Sequence, residues 1–239
     1  VKPGTLLLLL ACGGAGAAEP GPEVPLPSYD KKWLGKHNYL SGLVLHAGRE
    51  APPDIYFLGD SITEFWPILG KDVWKKEFGG MRVLNCGVAG DTTQNILYRI
   101  THGEFDHIAP KVVVVLAGIN NLGLKADLSP DDLARGVRRI VATIRAKSPV
   151  SKVLLLSIFP SSEPADPVRR RIVETNKRLA LLNDDKSVFY LDLYQAFLDQ
   201  DGVFSTAISP DGTHLNAKGY QIWADAMRPT LQKLLAPAE

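Results

Sequence analysis

Ile55-Tyr56-Phe57-Leu58-Gly59-Asp60-Ser61-Ile62-Thr63 is a short apolar run that passes directly into a glycine and two small polar residues. Aliphatic and aromatic side chains at successive positions leave no polar face, so the run reads as a strand buried on both sides, and the polar turn is where it gives way to a helix. Four further runs follow at 82–86, 112–117, 153–158 and 188–191, separated by longer amphipathic stretches. That alternation predicts parallel strands covered by helices, a three-layer α/β/α sandwich on a five-stranded parallel sheet. Helix starts lie between the runs. Asp91 with Gln94 reads as a capping box, and Ser129 ahead of Pro130, Asp131 and Asp132 reads as an N-terminus.

The rest of the composition narrows the chemistry. The chain has 239 residues, 45% of them hydrophobic, enough for one substantial core, and no internal repeat or second domain is visible. Lys plus Arg (27) nearly cancel Asp plus Glu (26), so no basic field draws nucleic acid or an anionic membrane. Two cysteines, with no C-x-x-C and no H-E-x-x-H, provide neither a metal cage nor a disulfide framework. Residues 1–18 read as a signal peptide: Lys2, an apolar stretch at 6–10 and the small residues Ala15-Gly16-Ala17. The stretch is too short for a stable membrane span. In a second reading, Leu9-Leu10-Ala11-Cys12 resembles a lipoprotein signal with Cys12 as the lipidated residue. Both predict a secreted or periplasmic protein that keeps Cys86 as a thiol. Residues 19–53 form a lead-in and helix, extended over the Pro- and Gly-rich 19–28, and 54–239 form the main domain.

In an open doubly wound sheet, ligands bind outside the carboxyl ends of the strands, where strand order reverses. Those ends carry Gly59-Asp60-Ser61, Gly87-Val88-Ala89-Gly90-Asp91, Gly118-Ile119-Asn120-Asn121, Pro160-Ser161-Ser162 and Asp192, and then Asp211-Gly212-Thr213-His214. The same filter assigns His46, His102 and His107 to the opposite edge and leaves His37 unplaced. His214 belongs to the functional edge, with an imidazole suited to proton transfer near neutrality. A serine at a strand-to-helix turn with a histidine at the same edge points to nucleophilic acyl transfer, and Asp211 is spaced to fix the histidine tautomer. The Ser61 amide, the Gly90 amide and the Asn120 side chain are candidate oxyanion donors. There is no G-x-S-x-G, so the usual nucleophile elbow is absent. Asp60 reads as a loop organiser, Asp192 as a strand-end acceptor, and Asn121 as structural. Asp91 reads as a cap that holds the Gly90 amide, and Trp66 and Trp223 as packing.

Gly59-Asp60-Ser61-Ile62-Thr63, Gly90, Gly118-Ile119-Asn120 and Asp211 through His214 together resemble the SGNH hydrolases, or GDSL-type esterases. The segment 85–93, Arg99 and Pro110-Lys111-Val112 look most like the catalytic subunits of platelet-activating-factor acetylhydrolase and their bacterial relatives; Asn121 favours that branch, and the signal segment an exported bacterial member. The resemblance implies a flavodoxin-like sheet and a cofactor-independent serine esterase. Ser61 is then the nucleophile, Asp211 and His214 complete the triad, and Ser61, Gly90 and Asn120 form the oxyanion hole. It implies an acyl-enzyme and short acyl, chiefly acetyl, esters. No long apolar insertion is available as a lid, so the acyl pocket is small. A carbohydrate ester is the favoured substrate and a lipid acetyl ester its rival; a noncatalytic carbohydrate-binding module would carry a broken triad, and a flavin or phosphate site would need glycine motifs the sequence lacks. A homodimer is compatible with the sequence.

Overall fold

The predicted strands form, all parallel, with ends within two residues of expectation. β1 (Ile55–Gly59), β2 (Val83–Gly87), β3 (Val112–Leu116), β4 (Lys152–Leu156) and β5 (Val188–Leu191) assemble in the order β2-β1-β3-β4-β5. This computed structural model describes residues 20–124, 127–161 and 165–237. Residues 1–18, read above as a signal peptide and including Cys12, lie outside the described residues, as does Ser162. Chain order reverses at β1, which sits between β2 and β3, so the switch point falls at the end of β1. Register sharpens this. Gly59 stands opposite both Gly87 and Leu116, so three neighbouring strands finish on one line and their loops start together.

Side-chain alternation sorts each central strand onto two covered faces. Tyr56, Leu58, Val113, Val115, Val153 and Leu155 belong to one core, Ile55, Phe57, Val112, Val114, Leu154 and Leu156 to the other. The first face is covered by α1 (Lys31–Glu50), α5 (Thr93–Thr101), α7 (Pro130–Lys147) and α8 (Pro167–Ala180); the second by α3 (Trp66–Leu69), α4 (Lys71–Phe78) and α9 (Ala217–Leu235). Two short helices at the functional edge, α2 (Ser61–Glu64) and α6 (Ile119–Leu124), complete the set. β2 and β5 lie at the sheet margins and are only half-buried, and β2 accordingly tolerates the polar Asn85 within its run.

α7 starts as predicted: Ser129 Oγ accepts the Asp132 amide at 3.1 Å, and Pro130 follows at the first helical position. Its buried stripe of Leu133, Val137, Ile140 and Ile144 returns every three or four residues. Each such side chain contributes about 1.5–3 kcal/mol on burial, so packing rather than intrinsic propensity holds the helix.

α5 departs from expectation. Its N-cap is Thr92, which forms a capping box with Asn95, and Asp91 is drawn inward to an ion pair. The lead-in also differs from a plain extended strand. Val24 N donates to Gly21 O to close a turn, Leu26 N donates to Gln94 O, and Thr93 Oγ1 donates to Pro22 O, pinning the segment to the start of α5. Trp66 and Trp223 pack, as predicted, with ring centroids 4.3 Å apart, and Tyr220 Oη donates to Ile62 O beneath α2. Among the described residues no helix is long and apolar enough to cross a membrane, and no cluster of His, Cys, Asp or Glu is arranged to hold a metal ion.

Candidate active site

Ser61 is the first residue of α2, immediately beyond the end of β1. The turn is tight because Asp60 serves as N-cap, its Oδ1 accepting the Ile62 amide at 3.0 Å. Gly87, at the end of β2, presses against it; a Cβ there would lie 2.3 Å from Glu64 N and 2.8 Å from Asp60 O, so this close approach requires glycine. Asn85 ties the same turn to β2, its Nδ2 donating to Thr63 O at 2.7 Å.

Across from Ser61, the loop before α9 brings in the other two groups. Ser61 Oγ and His214 Nε2 are 2.9 Å apart, and His214 Nδ1 and Asp211 Oδ2 are 2.7 Å apart. Asp211 Oδ1 accepts the main-chain amides of Thr213 and His214 at 2.9 and 2.7 Å, which orients the carboxylate. Its partial burial pushes its pKa up, but the His214 hydrogen bond and these two amides outweigh that push and hold the carboxyl below its usual range. An ionised Asp211 requires a proton on His214 Nδ1, and Nε2 is then the acceptor facing Ser61. Hydroxyl, imidazole and carboxylate stand in a line suited to taking a proton off the serine. Phe65 flanks the line, its ring centroid 5.4 Å from that of His214, a contact the sequence did not announce.

The remaining strand ends supply donors. Gly90 has φ +80, a left-handed conformation that suits glycine, and it is exposed at the edge of the sheet. Asn120, in the first turn of α6, gives one Nδ2 hydrogen to Asp91 O at 2.9 Å, and its second amide hydrogen has no partner among the described residues. Asn121 is structural, as read: it is buried, accepts the Thr93 amide at 2.9 Å and donates to Gln94 Oε1 at 2.9 Å. Asp192 Oδ1 accepts the Tyr194 amide at 2.9 Å and lies away from His214, against a cleft of about 280 Å³ lined also by Asn176, Lys177, Tyr190 and Tyr194. That cleft contains none of the residues of the Ser61 site.

The histidines divide as predicted. His46 and His102 are exposed at the far edge, with His102 Nδ1 hydrogen-bonded to Tyr98 O at 2.8 Å, and His107 occupies a turn there at φ 57. His37, unplaced by sequence, is buried on α1 and meets Glu104 Oε1 at 2.7 Å.

Three acidities are displaced by burial. Asp60 is fully buried, and desolvation, with a further push from Asp91, raises it to about 7 against the pull of the Ile62 amide and His214. Asp91 is raised to about 6 by burial, opposed by the Arg99 charge and the Trp33 and Arg99 hydrogen bonds, and its 2.7 Å pairing with the buried Arg99 guanidinium favours the carboxylate form. Burial pushes the Cys86 thiol up to about 12, which leaves it unreactive. The sequence reading missed the network around Asp91. Its signal was an arginine amid the apolar positions of α5, and Arg99 is fully buried.

Residues 57–222 match the model of the GDSL-like Lipase/Acylhydrolase family. The chain is 30% identical to platelet-activating factor acetylhydrolase IB subunit alpha2 of Rattus norvegicus over 207 residues, 86% of each protein. Among solved structures, a GDSL-like lipase from Bacteroides thetaiotaomicron superposes with a TM-score of 0.66 at 20% identity, covering 82% of this chain and 98% of that one. An acetylxylan esterase from Geobacillus stearothermophilus superposes with a TM-score of 0.62 at 18% identity, covering 77% and 96%. The structural neighbours share the fold, and the family match spans the serine turn, the loop of Gly90, the Asn120 helix and His214; the chain belongs to the GDSL-like lipase/acylhydrolase family and is a carboxylic ester hydrolase.

Proposed function

We propose that this protein is a serine esterase that removes short acyl groups, acetyl above all, through an acyl-enzyme. The observation that carries the reading is the 2.9 Å approach of Ser61 Oγ to His214 Nε2, backed by the 2.7 Å contact of His214 Nδ1 with Asp211. Ser61 Oγ attacks the ester carbonyl as His214 takes its proton. The negative charge that develops on the carbonyl oxygen falls to the Ser61 amide, the Gly90 amide and the free hydrogen of Asn120 Nδ2. His214 then protonates the departing alcohol, and in a second half-reaction it activates the water that releases the acid. Asp211 keeps the tautomer and stabilises the imidazolium.

Acetyl esters are favoured because the strand-end loops are short and glycine-rich, so the walls available for a long acyl chain are few. The relatives' names agree on acetyl and differ on what carries it: platelet-activating factor in one, xylan in the other. We favour a carbohydrate ester. The lipid acetyl ester is the second reading, favoured by the 30% identity to the acetylhydrolase subunits. The test is a nitrophenyl ester series with Ser61→Ala and His214→Ala as controls, followed by acetate release from acetylated xylan and from acetyl phospholipid analogues. Acetate and butyrate should be cleaved far faster than laurate or palmitate, and both variants should lose nearly all turnover while keeping their circular dichroism. Near-normal turnover in either folded variant overturns the mechanism. Preference for chains of about eight carbons or more overturns the small pocket, since each further methylene adds up to about 0.8 kcal/mol only where a groove receives it. Activity on acetyl phospholipids with none on acetylated sugars selects the second reading.

A further inference from the structure

Behind the oxyanion side of the site lies a buried charge cluster that takes no part in the acyl-transfer steps. The Arg99 side chain is fully buried on α5. Its Nε donates to Asp91 Oδ2 at 2.7 Å, its Nη1 donates to Glu104 Oε2, and its Nη2 donates to the Gly59 carbonyl at 3.3 Å, two residues before Ser61. Each carboxylate gives its second oxygen to the N-terminal helix. Trp33 Nε1 donates to Asp91 Oδ1 at 2.6 Å, and His37 Nδ1 meets Glu104 Oε1 at 2.7 Å. Asp91 also faces the site through its main chain: it follows Gly90, and its carbonyl accepts Asn120 Nδ2 at 2.9 Å.

Charges so fully removed from water are costly, and an apolar core would give comparable stability; what such a cluster adds is fixed geometry. Here the geometry fixed is that of three strand ends, through Gly59 on β1, Asp91 after β2 and Asn120 after β3. The anchoring helix, Lys31–Glu50, lies wholly outside the span 57–222 that matches the family model. Its indole N–H is one hydrogen bond from the Asp91 side chain, and the Asp91 main chain is one hydrogen bond from the Asn120 amide.

We propose that Trp33 is a positioning residue of the esterase: its indole N–H, presented by α1, holds Asp91 where its carbonyl orients the Asn120 amide toward the reacting oxygen. The inference rests on the reading of Asn120 as an oxyanion donor. In free-energy terms, α1 contributes to transition-state stabilisation through a residue that touches neither substrate nor Ser61. Losing the N–H leaves the fold and the triad in place and lets the Asn120 amide wander, so the loss falls on kcat.

The experiment is a double-mutant cycle on nitrophenyl acetate in the full chain, with Trp33→Phe, Asn120→Ala and both together, each checked by circular dichroism and thermal melting. Trp33→Phe should lower kcat by about tenfold with KM within about twofold, and Asn120→Ala by about 10²–10³-fold. In the Asn120→Ala background the Trp33 change should cost less than about twofold, because the group it positions is gone. A purely structural Trp33 would lower activity by the same factor in both backgrounds, or would lower only the melting temperature; either result overturns the proposal while leaving the oxyanion assignment intact. If Asn120→Ala alone leaves kcat unchanged, the oxyanion assignment fails instead, and the proposal with it. Should Trp33→Phe not fold, 3-benzothienylalanine at position 33 keeps the bicyclic shape and replaces N–H by sulfur, and the same cycle decides.

Discussion

Replacing Asp60 with Asn should remove a pH dependence of stability that the wild-type protein carries beneath its serine. The Asp60 side chain is fully buried: Oδ1 accepts the Ile62 amide, and Oδ2 has no hydrogen-bond partner among the described residues. A charge placed there is poorly compensated, and burial raises the carboxyl from 3.8 to about 7. Between these values the folded protein holds a proton that the unfolded chain does not. Native binding of the extra proton means that stability falls as the pH rises across the window from about 4 to about 7, by about 1.4 kcal/mol per unit while the difference is a whole proton. Asparagine keeps the capping oxygen and is neutral throughout. Urea unfolding of both proteins at about pH 5 and about pH 6.5 should show the variant gaining about 2 kcal/mol on the wild type between the two. Other titrating groups are common to both proteins and cancel in the difference. Stability curves that run parallel from pH 5 to 7 would refute the reasoning, because they would mean that Asp60 is ionised in the folded state.

Two further outcomes test the candidate site. Asp211→Asn should lower kcat by about 10³-fold or more through loss of the productive histidine tautomer, whereas Asp192→Asn, which keeps an acceptor for the Tyr194 amide, should leave kcat within about twofold; steady-state kinetics on nitrophenyl acetate ranks them, and the reverse order would mean that the wrong acid has been assigned. Gly87→Ala should destabilise the protein by about 1–3 kcal/mol and depress kcat even where it is folded, since the added methyl meets main-chain atoms of Asp60 and Glu64 on the Ser61 turn; an unchanged melting temperature and kcat would show that the turn is not set by this contact.

The sheet was legible because its signals are local and repeated. Five apolar runs, each closed by small polar residues, require only that both faces be covered, and every one became a strand. The Ser61, His214 and Asp211 set was legible for a related reason: the rule that ligands gather at carboxyl ends of strands discards His46, His102 and His107 before any distance is known. What sequence could not place depends on contacts between distant segments. His37 and Glu104 are 67 residues apart, and Trp33 and Asp91 are 58 apart. No spacing rule joins such pairs, so the helix that carries Trp33 and His37 reads as a lead-in rather than as part of the site's support.

Asp91 shows how magnitudes settle a conflict between two local readings. Two caps offset by one residue compete: Asp91 with Gln94, the pair read from the sequence, and Thr92 with Asn95, the pair the structure forms, and local propensity slightly favours the aspartate. Exchanging one good cap for another shifts stability by well under the roughly 0.5–2 kcal/mol that a cap contributes. Arg99 changes the comparison. Its guanidinium is fully buried, and a buried charge robbed of a partner costs about 3–5 kcal/mol, more than any cap can return. The carboxylate therefore goes to Arg99 and Trp33, and threonine takes the helix end. The functional consequence follows from the same choice. Had Asp91 capped the helix, its side chain would have been spent on the local amides of α5. Turned inward, it fastens the residue after Gly90 to β1 and to α1 at once, while its carbonyl stays available to the Asn120 amide.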